Sequence, residues 1–279
     1  MKKILFPTDF SATSNNAFLY ALKLAENLNA EVVTLHVYEL PIMDSNFINV
    51  PLYQVEVYQS LELNSFENYK DQIPVLRQIA EDNKMEHIPI SNIMEQGELV
   101  PNILELVKLQ HFDYVVMGTK GATGMKETFF GSSTASIMTG TNACVLGIPD
   151  GLRYSPITKI GFTTQFQDDD LKALHRVVEI AKRFGAEIDC LYVKTAANHV
   201  NEVRIANWEL IFTDEKVRFH ILDNNKVEET IIDFIEQNGI SMLAMLNHRR
   251  GFWDRLFHTS LTKKLAFHIK VPLLVLHEA

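Results

Sequence analysis

Four glycines, Gly118, Gly121, Gly124 and Gly131, fall within the stretch GTKGATGMKETFFGSS, in a chain of 279 residues that has only 12. Glycine weakens ordinary helices and strands, and is favoured where the backbone takes positive φ or approaches something closely. Gly118 and Gly121 suit a backbone that turns tightly beneath a phosphate chain. Gly131, Ser132 and Ser133 suit the opening of a helix, whose free N–H groups and positive dipole end attract anions. Lys120 and Lys126 add positive charge. The chemistry is that of a phosphate loop without the Walker sequence, since no Gly-Lys-Ser/Thr occurs.

The elements that must position this segment follow from period and punctuation. Lys2 to Phe6 is a short apolar run, and Ala17, Ala21, Leu24, Ala25 and Leu28 then recur at helical spacing. Val32 to Val37 reads as a second strand. Phe66, Tyr69, Ile73, Leu76 and Ala80 mark a second helix that Pro74 is expected to kink or split. His87 to Ile93, Leu99 to Leu109, Tyr114 to Met117, Ser132 to Met138 and Ala143 to Ile148 continue as strand, helix, strand, helix, strand. Such alternation predicts an α/β fold with a mainly parallel, Rossmann-like open sheet flanked by helices. Between Glu39 and Gln59 lies an insertion rich in aromatics, read as a packed lid, an intersubunit contact or an irregular surface connection.

The chain also repeats itself. KKILFPTDFS from Lys2 matches TKIGFTTQFQ from Thr158, and NAEVVTLHVY from Asn29 matches GAEIDCLYVK from Gly185, both 156 positions on. The glycine segment aligns with MLNHRRGFWDRLFHTS, from Met245 to Ser260, 127 positions on. Two tandem domains are therefore expected, 1–153 and 154–279, with the boundary near IPDGLRYSPITK. In an open parallel sheet, ligands bind at the carboxyl ends of the strands where strand order reverses. Pro7, Thr8 and Asp9 end the first strand, Val37 the second, and Met117 precedes the glycines.

Gly118-x2-Gly121-x9-Gly131-Ser132, with Asp9-x-Ser11-x2-Ser14-x2-Ala17 at the first strand-to-helix turn, resembles the ATP-binding branch of the universal stress proteins. The resemblance covers nearly the whole chain. It implies five-stranded sheets and pairing of the two halves within the chain in the manner of the family's dimers. It would set adenine and ribose against Pro7, Thr8, Asp9, Val37 and Met117, and phosphates on Gly118, Gly121, Gly131, Ser132 and Ser133, with Mg²⁺ an optional companion of ATP. The function it implies is a stress-response sensor or signalling module. Apart from the resemblance, Ser132 also reads as a helix cap, and Asp9 and Ser11 as turn-capping residues.

The second half departs from the pattern. Met245, His248 and His258 stand for the three glycines, Gln165 for Asp9 and Thr163 for Pro7, so it is expected not to bind ATP in this mode and to act as a structural partner. His248, His258, His268 and His277 match no usual zinc spacing. HRRGFWDR, from His248, reads as a surface loop anchored by two aromatics, and QDDDL, from Gln167, as a helix start complementing the dipole. No catalytic constellation emerges. A net charge of -9 disfavours nucleic acid and anionic membranes. The apolar start stops at Pro7 and reads as a strand rather than a leader, and two cysteines make no disulfide framework, so a cytoplasmic location is expected. Competing readings are a nucleotide-independent interaction scaffold, a carrier of an apolar small molecule, and a weak ATPase. A homodimer and a protein partner stay open.

Overall fold

The computed structural model describes residues 1–39, 51–119, 132–196, 200–247 and 269–278, with the side chains of 51–59 and 132 left aside. The first half runs β1 (Lys2–Pro7), α1 (Ala12–Leu28), β2 (Ala30–Tyr38), α2 (Pro51–Asp82), β3 (Ile90–Gln96), α3 (Leu99–Gln110), β4 (Tyr114–Gly118), α4 (Ser132–Gly140) and β5 (Cys144–Ile148). The second half runs β6 (Lys159–Thr163), α5 (Asp168–Phe184), β7 (Glu187–Lys194), α6 (Glu202–Ile211), β8 (Val217–Asp223), α7 (Val227–Asn238), β9 (Met242–Asn247) and β10 (Leu273–His277).

Central strands are apolar on both sides because helices cover both faces. Ile4, Leu5 and Phe6 of β1 are all fully buried. Ile4 and Phe6 face a core shared with α1, α2, α5 and α6, whereas Leu5 faces the core of α3, α4 and α7. The helix ends follow local chemistry. Ser11 caps α1 by accepting from the Ser14 N–H, and Asn29 closes it in the left-handed conformation. At α5, Gln167 and Asp170 form a reciprocal capping box, and Asp168, Asp169 and Asp170 occupy the first turn, as the reading of QDDDL expects.

Two expectations change. Pro74 lies inside α2, which continues as one helix of 32 residues, so of the kink or split expected the split does not occur. The insertion is not irregular throughout, because from Pro51 it is the start of α2; residues 40–50 lie outside the described set.

The two five-stranded halves join into one ten-stranded sheet of order β3-β2-β1-β4-β5-β10-β9-β6-β7-β8. Every pairing is parallel except β5 with β10, which is antiparallel and sets Leu146 against Leu274. Both strands are buried along their whole length, so the seam covers two apolar edges that would otherwise be open templates. On one face of the seam Tyr20, Leu24, Leu146, Ile180 and Leu274 line a small gap. Arg176 of α5 spans the seam, donating to the His277 carbonyl and to the Cys144 sulfur at 2.9 Å each.

Sheet register also corrects the repeat. Ile4 pairs with Tyr114, and its equivalent Ile160 pairs with Met242, so Met245 matches Met117 and Leu246 matches Gly118. The sequence pairing of Gly118 with Met245 is thus off by one, although the glycine is lost either way.

Candidate functional site

Strand order reverses at β1, which lies between β2 and β4, all parallel. Their carboxyl ends therefore lie side by side, and they bring Pro7, Thr8, Asp9, Val37, Met117 and Gly118 to one end of the sheet. Val37 and Met117 belong to the same face, that of α3 and α4. Pro7, Thr8 and Met117 are buried, Val37 is half-buried and Asp9 is exposed. Ser132 opens α4 and Ser133 is half-buried in its first turn, which carries no acidic residue to satisfy the helix dipole. Gly121 and Gly131 lie outside the described residues, as do Lys120 and Lys126.

The turn from Thr8 to Ser11 is built by its own side chains. The Thr8 N–H donates to the Leu35 carbonyl at 2.8 Å and extends the β1–β2 pairing by one residue. Phe10 takes φ 58°, the left-handed region that non-glycine residues seldom adopt. Its N–H donates to Thr8 Oγ1 at 3.0 Å, and the Ser11 N–H donates to Asp9 Oδ1 at 3.0 Å. The Ser14 hydroxyl donates to Thr8 Oγ1 at 2.8 Å. Among the described residues no hydrogen bond reaches the Asp9 amide, and the side chain, one of whose oxygens accepts from Ser11, belongs to an exposed residue. Those groups can donate to a base or phosphate acceptor and accept from a ribose hydroxyl.

Gly118 has an internal reason to be glycine. A Cβ there would lie 3.0 Å from Thr13 Cγ2 and 3.3 Å from the Thr13 carbonyl oxygen, so the glycine lets the first turn of α1 close against the end of β4. The Thr13 hydroxyl donates to Asp150, just past β5. Behind the turn, His36 Nδ1 donates to the Thr8 carbonyl at 3.0 Å, and its ring stacks on Tyr69 of α2 at 5.7 Å and 13°. Burial pushes the Tyr69 phenol up, keeping it a donor, to the Ile93 carbonyl at 3.4 Å. Thr13, His36 and Asp150 were not among the sequence candidates. The legible signal for His36 was a lone polar ring ending an apolar strand beside Val37.

The second half builds the same turn by other means. The Thr164 N–H donates to the Leu191 carbonyl at 3.0 Å, Phe166 takes φ 56°, and its N–H donates to Thr164 Oγ1 at 2.8 Å. Asp170 stands where Ser14 stands, and is buried. Its Oδ2 accepts from Thr164 Oγ1 at 3.1 Å and from the N–H groups of Gln165 at 2.8 Å and Gln167 at 3.1 Å. The amide left open in the first half is taken internally in the second. Phe166 is buried against Trp208, Tyr192 and Phe219, with ring centroids 4.8, 5.6 and 6.1 Å away.

His277 is a buried residue of β10 at the seam, and the other three histidines of the C-terminal series lie outside the described residues, as does HRRGFWDR. Among the described residues no group of three or more His, Cys, Asp or Glu is arranged to hold a metal ion, and no helix is long and apolar enough to cross a membrane.

The chain matches the Universal stress protein family twice, over residues 1–149 and 156–277. It is 31% identical to Universal stress protein MJ0577 of Methanocaldococcus jannaschii over 158 residues, covering 52% of this chain and 93% of that protein. It is 28% identical to Universal stress protein MJ0531 of the same organism over 145 residues, 52% of this chain and 80% of that one. Its fold is similar to the crystal structure of a universal stress protein from Archaeoglobus fulgidus, with a TM-score of 0.74 at 18% identity, over 99% of this chain and 96% of that one. The two matched segments, which together span nearly the whole chain, establish that this chain belongs to the universal stress protein family, carrying two of its domains in tandem.

Proposed function

We propose that the N-terminal half binds ATP, accompanied by Mg²⁺, and that the protein is a cytoplasmic stress-response sensor rather than a catalyst of turnover. The observation that carries this reading is the convergence of the β1, β2 and β4 ends at the reversal of strand order, with an open Asp9 amide beside the start of the glycine segment. The donor set suits a nucleotide. Half-buried Val37, packed against the core that holds Met117, offers apolar surface to a base, Asp9 offers hydrogen bonds, and the α4 N-terminus with Ser132 and Ser133 suits phosphate oxygens. When bound, Mg²⁺ would neutralise phosphate charge through oxygen ligands, which the serine hydroxyls can supply.

The C-terminal half is then a structural partner, divided from the first near 153/154. Asp170 already occupies the donors of its strand-end turn, and Leu246 replaces Gly118. Occupancy regulates only if two states of the protein differ in affinity for the nucleotide. The decisive experiment is calorimetric titration of nucleotide-stripped protein with Mg-ATP. One site per chain, abolished by Gly131→Val with the fold retained, is the expected result. No heat up to millimolar ATP, or a second site that maps to the C-terminal half, would overturn it.

A further inference from the structure

The repeat supplies an internal comparison. Both halves hold a phenylalanine, Phe10 or Phe166, at positive φ in the same four-residue turn. A residue in that region costs about 1 kcal/mol or more, so something must hold the turn in place. In the second half the holder is Asp170, which consumes the Gln165 and Gln167 amides. In the first half Ser14 does not do this: its hydroxyl donates to Thr8 Oγ1, and among the described residues no amide of the turn donates to it. The turn is instead backed by His36, whose Nδ1–H meets the Thr8 carbonyl at 3.0 Å, and by Asn15, whose amide reaches the Phe10 carbonyl at 3.3 Å. The second-half residue equivalent to His36 is Tyr192, and its buried hydroxyl has no hydrogen-bond partner among the described residues. The Phe166 carbonyl accepts from Arg204 at 2.8 Å much as the Phe10 carbonyl accepts from Asn15, so what sets the first half apart among the described residues is the hydrogen bond from His36 to the Thr8 carbonyl.

We propose that His36 is a positioning residue for the nucleotide site: it holds the Thr8–Ser11 turn from behind, so that the front-side Asp9 donor is left for the ligand. The proposal rests on the reading of the N-terminal half as a nucleotide site. Thr8 is 6% exposed and among the described residues its carbonyl accepts only from His36, so without the ring the turn would have to open to hydrate that carbonyl. The ring is itself fixed between Tyr69 and Phe10, with centroids 5.7 and 5.2 Å away. Because Tyr69 belongs to α2, the stack ties the helix that begins within the insertion to the turn at the proposed nucleotide site.

The test compares wild type, His36→Leu and His36→Asn, whose amide offers a donor near the place of Nδ1. Two quantities are read: the dissociation constants of Mg-ATP and Mg-ADP by calorimetry, and amide exchange at Phe10 and Ser11 without nucleotide. His36→Leu is expected to weaken both nucleotides by the same factor, about tenfold, as for loss of one buried hydrogen bond, and to unprotect both amides. His36→Asn is expected to recover most of both. Equal affinity and exchange in His36→Leu would overturn the proposal, as would His36→Asn behaving like His36→Leu, since the ring and not the donor would then matter. A wild-type chain that binds no nucleotide overturns the functional reading and the ligand part of this proposal together. In that case exchange in His36→Leu still decides whether His36 holds the turn.

Discussion

At the scale of single residues, the same residue type serves two masters in this chain. Gly118 was legible as a place of close approach, and the approach is real, but its partner within the fold is Thr13. A methyl group there meets Thr13 Cγ2 at 3.0 Å and backbone at 3.3 Å, so Gly118→Ala is expected to cost about 1–3 kcal/mol by overpacking, read as a lower urea midpoint. Thr13→Ser removes that methyl while keeping the hydroxyl, and should return part of the loss in the double variant. Full stability in Gly118→Ala would mean that α1 gives way freely and that the glycine is there for a ligand alone. Asp170 and Ser14 make the converse point, since different residues at equivalent positions hold the same turn. The carboxylate accepts three hydrogen bonds where the serine donates one, and the difference decides which backbone donors stay open.

Helices and strands raise a second class of question, because propensity and context disagree most openly in α2. Pro74 removes one helical hydrogen bond and crowds the carbonyl four residues earlier, yet the helix runs on to Asp82. What overrides the proline is burial on both sides of it: Tyr69, Leu76 and Ala80 are all buried against the sheet or α1. Pro74→Ala should therefore stabilise the protein by about 1–3 kcal/mol, seen as a higher urea midpoint with the same cooperativity. A neutral or destabilising result would show that the proline shapes a bend that the packing of α2 requires. Helix α5 shows the agreeable case, in which its acidic start, capping box and glycine end all point to the same boundaries.

For the molecule as a whole, the seam is the governing feature. Helix α1 runs from the candidate site to the junction, and along it Thr13 donates to Asp150, Asn16 to the Leu152 carbonyl, and Tyr20 to the Arg153 carbonyl at 3.1 Å. Burial at the junction pushes the Tyr20 phenol from 10.0 up to about 12, and burial pushes the Tyr114 phenol up as well. The folded chain holds these protons more tightly than the unfolded chain does. Neither tyrosine costs stability below pH about 10, and both subtract from it as pH rises from there through the folded values. The urea midpoint is thus expected to be lower at pH 11 than at pH 8. Tyr20→Phe, although weaker at pH 8 for want of its bond to Arg153, should decline less steeply. An equally steep decline in that variant would assign the alkaline loss to other groups.

The sequence by itself determined the class of fold, the tandem repeat, the α5 cap and the strand-end position of Pro7, Thr8, Asp9, Val37 and Met117. These are properties of short segments, where apolar period and turn chemistry act between residues close along the chain. Only the tertiary structure decided that β5 and β10 pair antiparallel into one sheet, that Leu246 and not Met245 answers Gly118, and that His36, Thr13 and Asp150 stand around the candidate site. Those facts depend on register and on contacts between distant segments. A one-residue shift in register leaves an apolar run just as apolar while turning every side chain to the other face.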